Sequence, residues 1–170
     1  LWSPYLGNGL PFAADASFAA LYPVGLLLFW VPLPWYILVY YALHIAIAGF
    51  FMNLFVKEHQ CDNLTAFVVG FLYILSIHLC GARKSHMGII SVICWIPVIF
   101  YFIQRYLNTK QCHFLFFSAI AMAMQFLAGF VQIAFYTDMI CGLYLLYFMI
   151  KERHGVRNIL LDGLRWGGSY

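Results

Sequence analysis

Between Phe114 and Ile150 the chain carries a single charged residue, Asp138. As one α-helix rising 1.5 Å per residue, that stretch would run about 55 Å, against a bilayer core of roughly 30 Å. The sequence therefore predicts two membrane helices here, with Gly129 as the break. Three more apolar stretches precede them. Trp35 to Val56 is stopped by Lys57-Glu58-His59-Gln60. Leu64 to Leu79 follows Asp62 or Asn63 as N-cap. Gly88 to Phe102 is expected to kink or break near Pro97. Composition agrees: 9% of residues are charged, where a soluble domain carries roughly 25%. The expected fold is all-α, a polytopic transmembrane bundle of about five crossings.

Residues 1–34 are different material. Leu1 to Phe12 is apolar but broken by Pro4, Gly7, Gly9 and Pro11. Tyr22 to Val31, between Pro23 and Pro32, is too short to span and predicts an interfacial or re-entrant helix. The organisation expected is a loop segment with that short helix (1–34), a transmembrane domain (35–151) and a tail leading to a further element (152–170). Both ends look cut from something longer.

Topology follows from the basic residues. Lys57, the pair Arg105 and Lys110, and the tail's Lys151, Arg153 and Arg157 fall on one side. Arg83 and Lys84 fall on the other, and residues 1–34 have none. The positive-inside rule puts the first group and the tail in the cytoplasm. Residues 1–34, the Arg83-Lys84 loop and the Gly129 turn then share the outer side.

That outer side collects the unusual residues: Asn8 and Asp15, the loop Arg83-Lys84-Ser85-His86, and Gln125 to Gln132. If they converge, they make a pocket at the water–lipid boundary. A basic pair with His86 suits a lipid phosphate, or the two cations snorkel to headgroups. In an unbroken helix Gln125, Gly129, Gln132 and Tyr136 would form one stripe, either a packing seam or a wall for sugar hydroxyls. Asp138 is a carboxylate inside a crossing, functional or structurally paired. His44 reads as a neutral imidazole bonded to a neighbouring helix, and Asn53 as interhelical glue. The five cysteines show no metal or redox spacing and read as small buried hydrophobes. No nucleotide-binding, serine-hydrolase, zinc-protease or haem-attachment motif is present. Nine scattered Lys and Arg make no nucleic-acid face. The cofactor is unknown, and a divalent metal is possible without being indicated by the sequence.

Leu1-Trp2-Ser3-Pro4-Tyr5, Gly9-Leu10-Pro11-Phe12 and Tyr22-Pro23 resemble the YfhO-like bacterial membrane proteins, whose pattern is LWNPY…GxPF…YP. His86 with Trp95-Ile96-Pro97 resembles their loop His and WxP. Leu127-Ala128-Gly129, Gln132-Ile133-Ala134 and Tyr136-Thr137 resemble LAGHPQIAxYT, with Phe130-Val131 in place of His-Pro. The resemblance covers nearly the whole chain. It implies a GT-C-type glycosyltransferase of the bacterial cell membrane. Such an enzyme takes a sugar from a polyprenyl phosphate to a cell-envelope polymer, such as a teichoic acid, on the outer face.

On that reading a carboxylate takes the proton of the acceptor hydroxyl as it attacks. The resemblance puts this Asp upstream of Leu1, with Asp15 and Asp138 as weaker candidates. Arg83, Lys84 and His86 meet the charge developing on the phosphate. Asn8, Gln125 and Gln132 bond the sugar. This fragment alone is expected to be inactive. Two other readings are a transporter or flippase, with His44 and Asp138 lining a polar path, and a non-catalytic membrane scaffold whose outer loops pack shut.

Overall fold

A computed structural model describes residues 19–81 and 87–166, with side chains given for 19–76 and 88–151. All regular structure in it is helical. A short helix α1 (Pro23–Leu27) runs into a 3-10 turn (Leu28–Trp30). Then come α2 (Leu33–Glu58), α3 (Asn63–Gly81), α4 (Met87–Thr109), α5 (His113–Leu127) and α6 (Val131–Trp166).

The segment Leu33–Glu58, with Gly88–Thr109 and Val131–Lys151, is long and apolar enough to cross a membrane. Helices α3 and α5 are apolar but shorter. At 1.5 Å per residue the 15 residues of α5 reach about 22 Å. The fold is a helical membrane bundle. Helix α6 continues without interruption through Trp166, into the stretch expected to be a tail. The chain divides into two compact units, residues 1–137 and 138–170, each described by itself below.

Local chemistry sets the helix ends. Asp62, not Asn63, caps α3: its Oδ2 accepts from the backbone N–H of Leu64 and of Thr65, both at 3.1 Å. Helices α2 and α4 stop where Gln60 and Lys110 adopt left-handed φ of 61° and 58°. Gly129, at φ 111°, makes the turn between α5 and α6, a conformation that glycine alone takes cheaply.

Pro97 does not break α4, which is continuous from Met87 to Thr109. Proline has no N–H for the carbonyl four residues earlier, that of Ile93. The Tyr73 hydroxyl of α3 donates to that carbonyl at 3.0 Å.

Two close approaches hold α2, α3 and α4 together. A Cβ on Gly70 would lie 2.9 Å from the Gly49 carbonyl oxygen, so the α2 and α3 backbones touch. Ala48, Ile90 and Cys94 form a buried cluster that Tyr41 and Tyr73 cover.

At one end of the bundle, Arg105 Nη1 donates to Glu58 Oε1 at 2.6 Å. Asn108 Nδ2 donates to Glu58 Oε2 at 2.9 Å and accepts at Oδ1 from Gln104 Nε2. The Arg105 guanidinium lies 5.3 Å from the centre of the Phe114 ring. Thus Arg105 belongs to α4 itself, paired, rather than to a free loop. Cys94 and Cys141 are buried as expected, but Cys61 and Cys112 are exposed in connections. The side chain of Cys80 lies outside the described ones.

Candidate functional site

The other end of the bundle brings together segments far apart in sequence. Tyr22 precedes Pro23 and is therefore held extended (φ −71°, ψ 116°). Its ring turns inward and is 1% exposed, packed with Tyr40 of α2, Val92 of α4 and Ala128 of the α5–α6 turn.

The polar atoms there form one directed chain. His44 Nδ1 lies 2.6 Å from the Tyr40 carbonyl oxygen. A carbonyl only accepts, so Nδ1 carries the proton and Nε2 is the acceptor. The Tyr22 hydroxyl, 2.7 Å away, therefore donates to Nε2. In turn it accepts from Trp95 Nε1 at 2.9 Å. Every donor and acceptor on the His44 ring is used, and the ring is fully buried. His44 is thus a neutral interhelical link, as its sequence context suggests.

Gln125 makes the second link. Its Nε2 donates to the Val92 carbonyl and to Thr137 Oγ1, each at 3.1 Å. Thr137 Oγ1 passes its own proton to the Ile133 carbonyl at 2.9 Å. A flipped amide would set oxygen against the Val92 oxygen, so the orientation is fixed. Gln125 Oε1 is buried and has no partner. Phe130, which stands where the YfhO-like pattern has His, packs over the start of α4. A Cβ on Gly88 would lie 3.1 Å from its ring.

The stripe expected of an unbroken helix is divided by the Gly129 turn. Gln125 points into the core. Gln132 and Tyr136 are exposed on α6, where Gln132 Nε2 donates to the Tyr136 hydroxyl at 2.9 Å. Asp138 belongs to the second unit. It is half-buried on α6, and its Oδ1 has no hydrogen-bond partner among the described residues. Asn8, Asp15, Arg83, Lys84 and His86 lie outside the described residues. Among the described residues no three His, Cys, Asp or Glu side chains are grouped to hold a metal ion.

Of the three stretches expected to share one side, the first is described from Ala19 onward and the Gln125–Gln132 turn in full, and these two meet: the Tyr22 ring of the first packs against Ala128 of the other. Sequence reasoning placed Tyr22 and Trp95 only in separate motifs. Their hydrogen bond spans 73 positions, and nothing local to either residue announces it. No family model, no curated protein and no solved structure matches the chain.

Proposed function

We propose that this chain is the membrane bundle of a GT-C-like glycosyltransferase that takes a sugar from a polyprenyl phosphate to a cell-envelope acceptor. One observation carries the reading. Among the described residues, one from each of three separate motifs of the YfhO-like resemblance meets the others at one end of the bundle: Tyr22 is bonded to Trp95 and packed against Ala128, and Thr137 of the third motif is bonded to Gln125 nearby. Motif residues that meet in space suggest that the motif marks one site. Loop charges favour the extracytoplasmic side for that end.

In this reading Tyr22, His44, Trp95 and Gln125 are the frame, their polar atoms turned inward. The chemistry is assigned to other residues of the chain. Arg83, Lys84 and His86, just before α4, meet the leaving phosphate, where developing charge rewards fixed cations. Asn8 and Gln132 are the candidates for bonding sugar hydroxyls. A carboxylate, with Asp15 and Asp138 the candidates in this chain, takes the acceptor proton.

The test uses the full-length protein in membranes with a radiolabelled polyprenyl-phosphate sugar. Replacing Arg83 and Lys84 together by Ala should lower transfer about 100-fold or more, the scale of losing one preorganised charge-stabilising group. Undiminished transfer rejects the phosphate role.

A non-catalytic scaffold is the second reading. The observation favouring it is the burial of Tyr22 at 1% exposure, which closes the described part of the meeting point. A wild-type protein that transfers no sugar from any polyprenyl-phosphate donor, yet stays folded, selects the scaffold.

A further inference from the structure

Helices α2 and α3 enclose a cleft of about 250 Å³. Gly49, Gly70 and Ile74 line it, the Ile74 side chain lying against Gly49, together with the exposed rings of Phe50, Phe67 and Phe71. Asn53 also lines it. The Asn53 amide is half-buried and has no hydrogen bond to any described residue. Within α2, Gly49, Asn53 and Lys57 are spaced i, i+4, i+8, so they share one face of the helix. Lys57 is exposed and in no ion pair among the described residues, since Glu58 is committed to Arg105 on α4.

Asn53 lies five positions before the end of α2, about 8 Å inside at 1.5 Å per residue. An amide left unpaired at that depth is costly, and a bare hydrocarbon tail gives it nothing to donate to. A glycerolipid does. Its ester carbonyls lie just below its phosphate, in the same order as Asn53 and Lys57 along α2. The charge of Lys57 selects an anionic head.

We propose that the α2–α3 cleft holds one anionic glycerophospholipid. An acyl chain lies among the rings of Phe50, Phe67 and Phe71, an ester carbonyl accepts from the Asn53 amide, and the phosphate sits against the Lys57 ammonium. This site is at the Glu58 end of the bundle, away from the Tyr22 end, and does not rest on the glycosyltransferase reading.

The experiment takes the full-length protein from nanodiscs of phosphatidylcholine containing a minority of phosphatidylglycerol, and weighs it by native mass spectrometry. Wild type should retain one phosphatidylglycerol in preference to phosphatidylcholine. Lys57→Gln should lower that preference about fivefold, the factor for one cation near a lipid surface. Asn53→Leu should lower retention of both lipids, and Lys151→Gln should change neither. Equal retention in wild type, Lys57→Gln and Asn53→Leu overturns the site. So does a preference lost equally in Lys151→Gln, which means diffuse surface attraction. A wild-type dimer that Asn53→Leu dissociates also overturns it, by giving the cleft to a second copy. Should Asn53→Leu fail to fold, the exposed Lys57→Gln decides alone.

Discussion

The Tyr73 hydroxyl bonds the carbonyl of Ile93 at 3.0 Å, the one carbonyl that Pro97 leaves without its helical N–H. A proline in a membrane helix is tolerated where a neighbour satisfies the freed group. Here a tyrosine on α3 does so, and the same bond fixes α3 against α4. The proline thus creates an acceptor at a chosen height on α4, and the tyrosine reads it.

Removing the hydroxyl should therefore cost only while the proline is present. Tyr73→Phe is expected to destabilise by about 1 kcal/mol, typical of interhelical hydrogen bonds in membranes. Pro97→Ala restores an N–H for Ile93, so Tyr73→Phe should cost less in that background. The double-mutant cycle, read by unfolding in mixed micelles, should give a coupling of roughly 0.5 kcal/mol or more. Strict additivity would mean that the two residues act independently.

Tyr22 is the joint of the opposite end. Tyr22→Phe keeps the ring and removes one oxygen, but leaves two buried groups unpaired: Trp95 Nε1 and His44 Nε2. Each unsatisfied group costs about 1–3 kcal/mol. The variant should lose about 2 kcal/mol or more and unfold at a lower temperature in detergent. Tyr147→Phe, at an exposed ring, should stay within about 0.5 kcal/mol of wild type. Because Tyr22 anchors the segment before α2, Tyr22→Phe should also quicken proteolysis ahead of Pro32.

These two residues mark where sequence reading stops. Apolar run length and the position of the charges gave the helices, Gly129 gave the turn, and Asp62 with its neighbour narrowed the α3 start to two positions. Each of those signals is local. Pro97 was legible as an interruption, but the partner that keeps α4 continuous sits on another helix. Tyr22 reads as one more aromatic beside a proline until α2 and α4 close around it. The expected Gln125–Tyr136 stripe fails for a related reason. It assumes one helix, and the glycine that divides the segment also turns Gln125 inward and Gln132 outward.

The α3 cap adds a pH signature outside the membrane span. Hydrogen bonds from Thr65, side chain and backbone, hold the Asp62 carboxyl below its ordinary range. A folded pKa below the unfolded one means stability that is whole above the unfolded value, near 4, and lost as pH falls through the folded value. Backbone amides in the first turn of α3 should therefore exchange relatively faster in wild type than in Asp62→Asn as the pH drops below about 4. Asparagine keeps the cap but does not titrate. Parallel behaviour of the two proteins down to the lowest pH would deny the carboxylate its role in the cap.

Two glycines in membrane helices should respond oppositely to the same added methyl. At Gly70 a Cβ meets the Gly49 backbone oxygen at 2.9 Å. Backbone cannot rotate out of the way, so α2 and α3 must separate. Gly70→Ala should cost about 1–3 kcal/mol, as overpacking does. At Gly142 nothing lies within 4 Å of the new atom, and glycine in a helix interior costs roughly 0.5–1 kcal/mol relative to alanine. Gly142→Ala should raise the melting temperature while Gly70→Ala lowers it. Because Gly70 also lines the cleft proposed to hold a lipid, Gly70→Ala should release the retained lipid and Gly142→Ala should not. Stabilisation by Gly70→Ala would mean that the α2–α3 contact is looser than the Gly49 carbonyl implies.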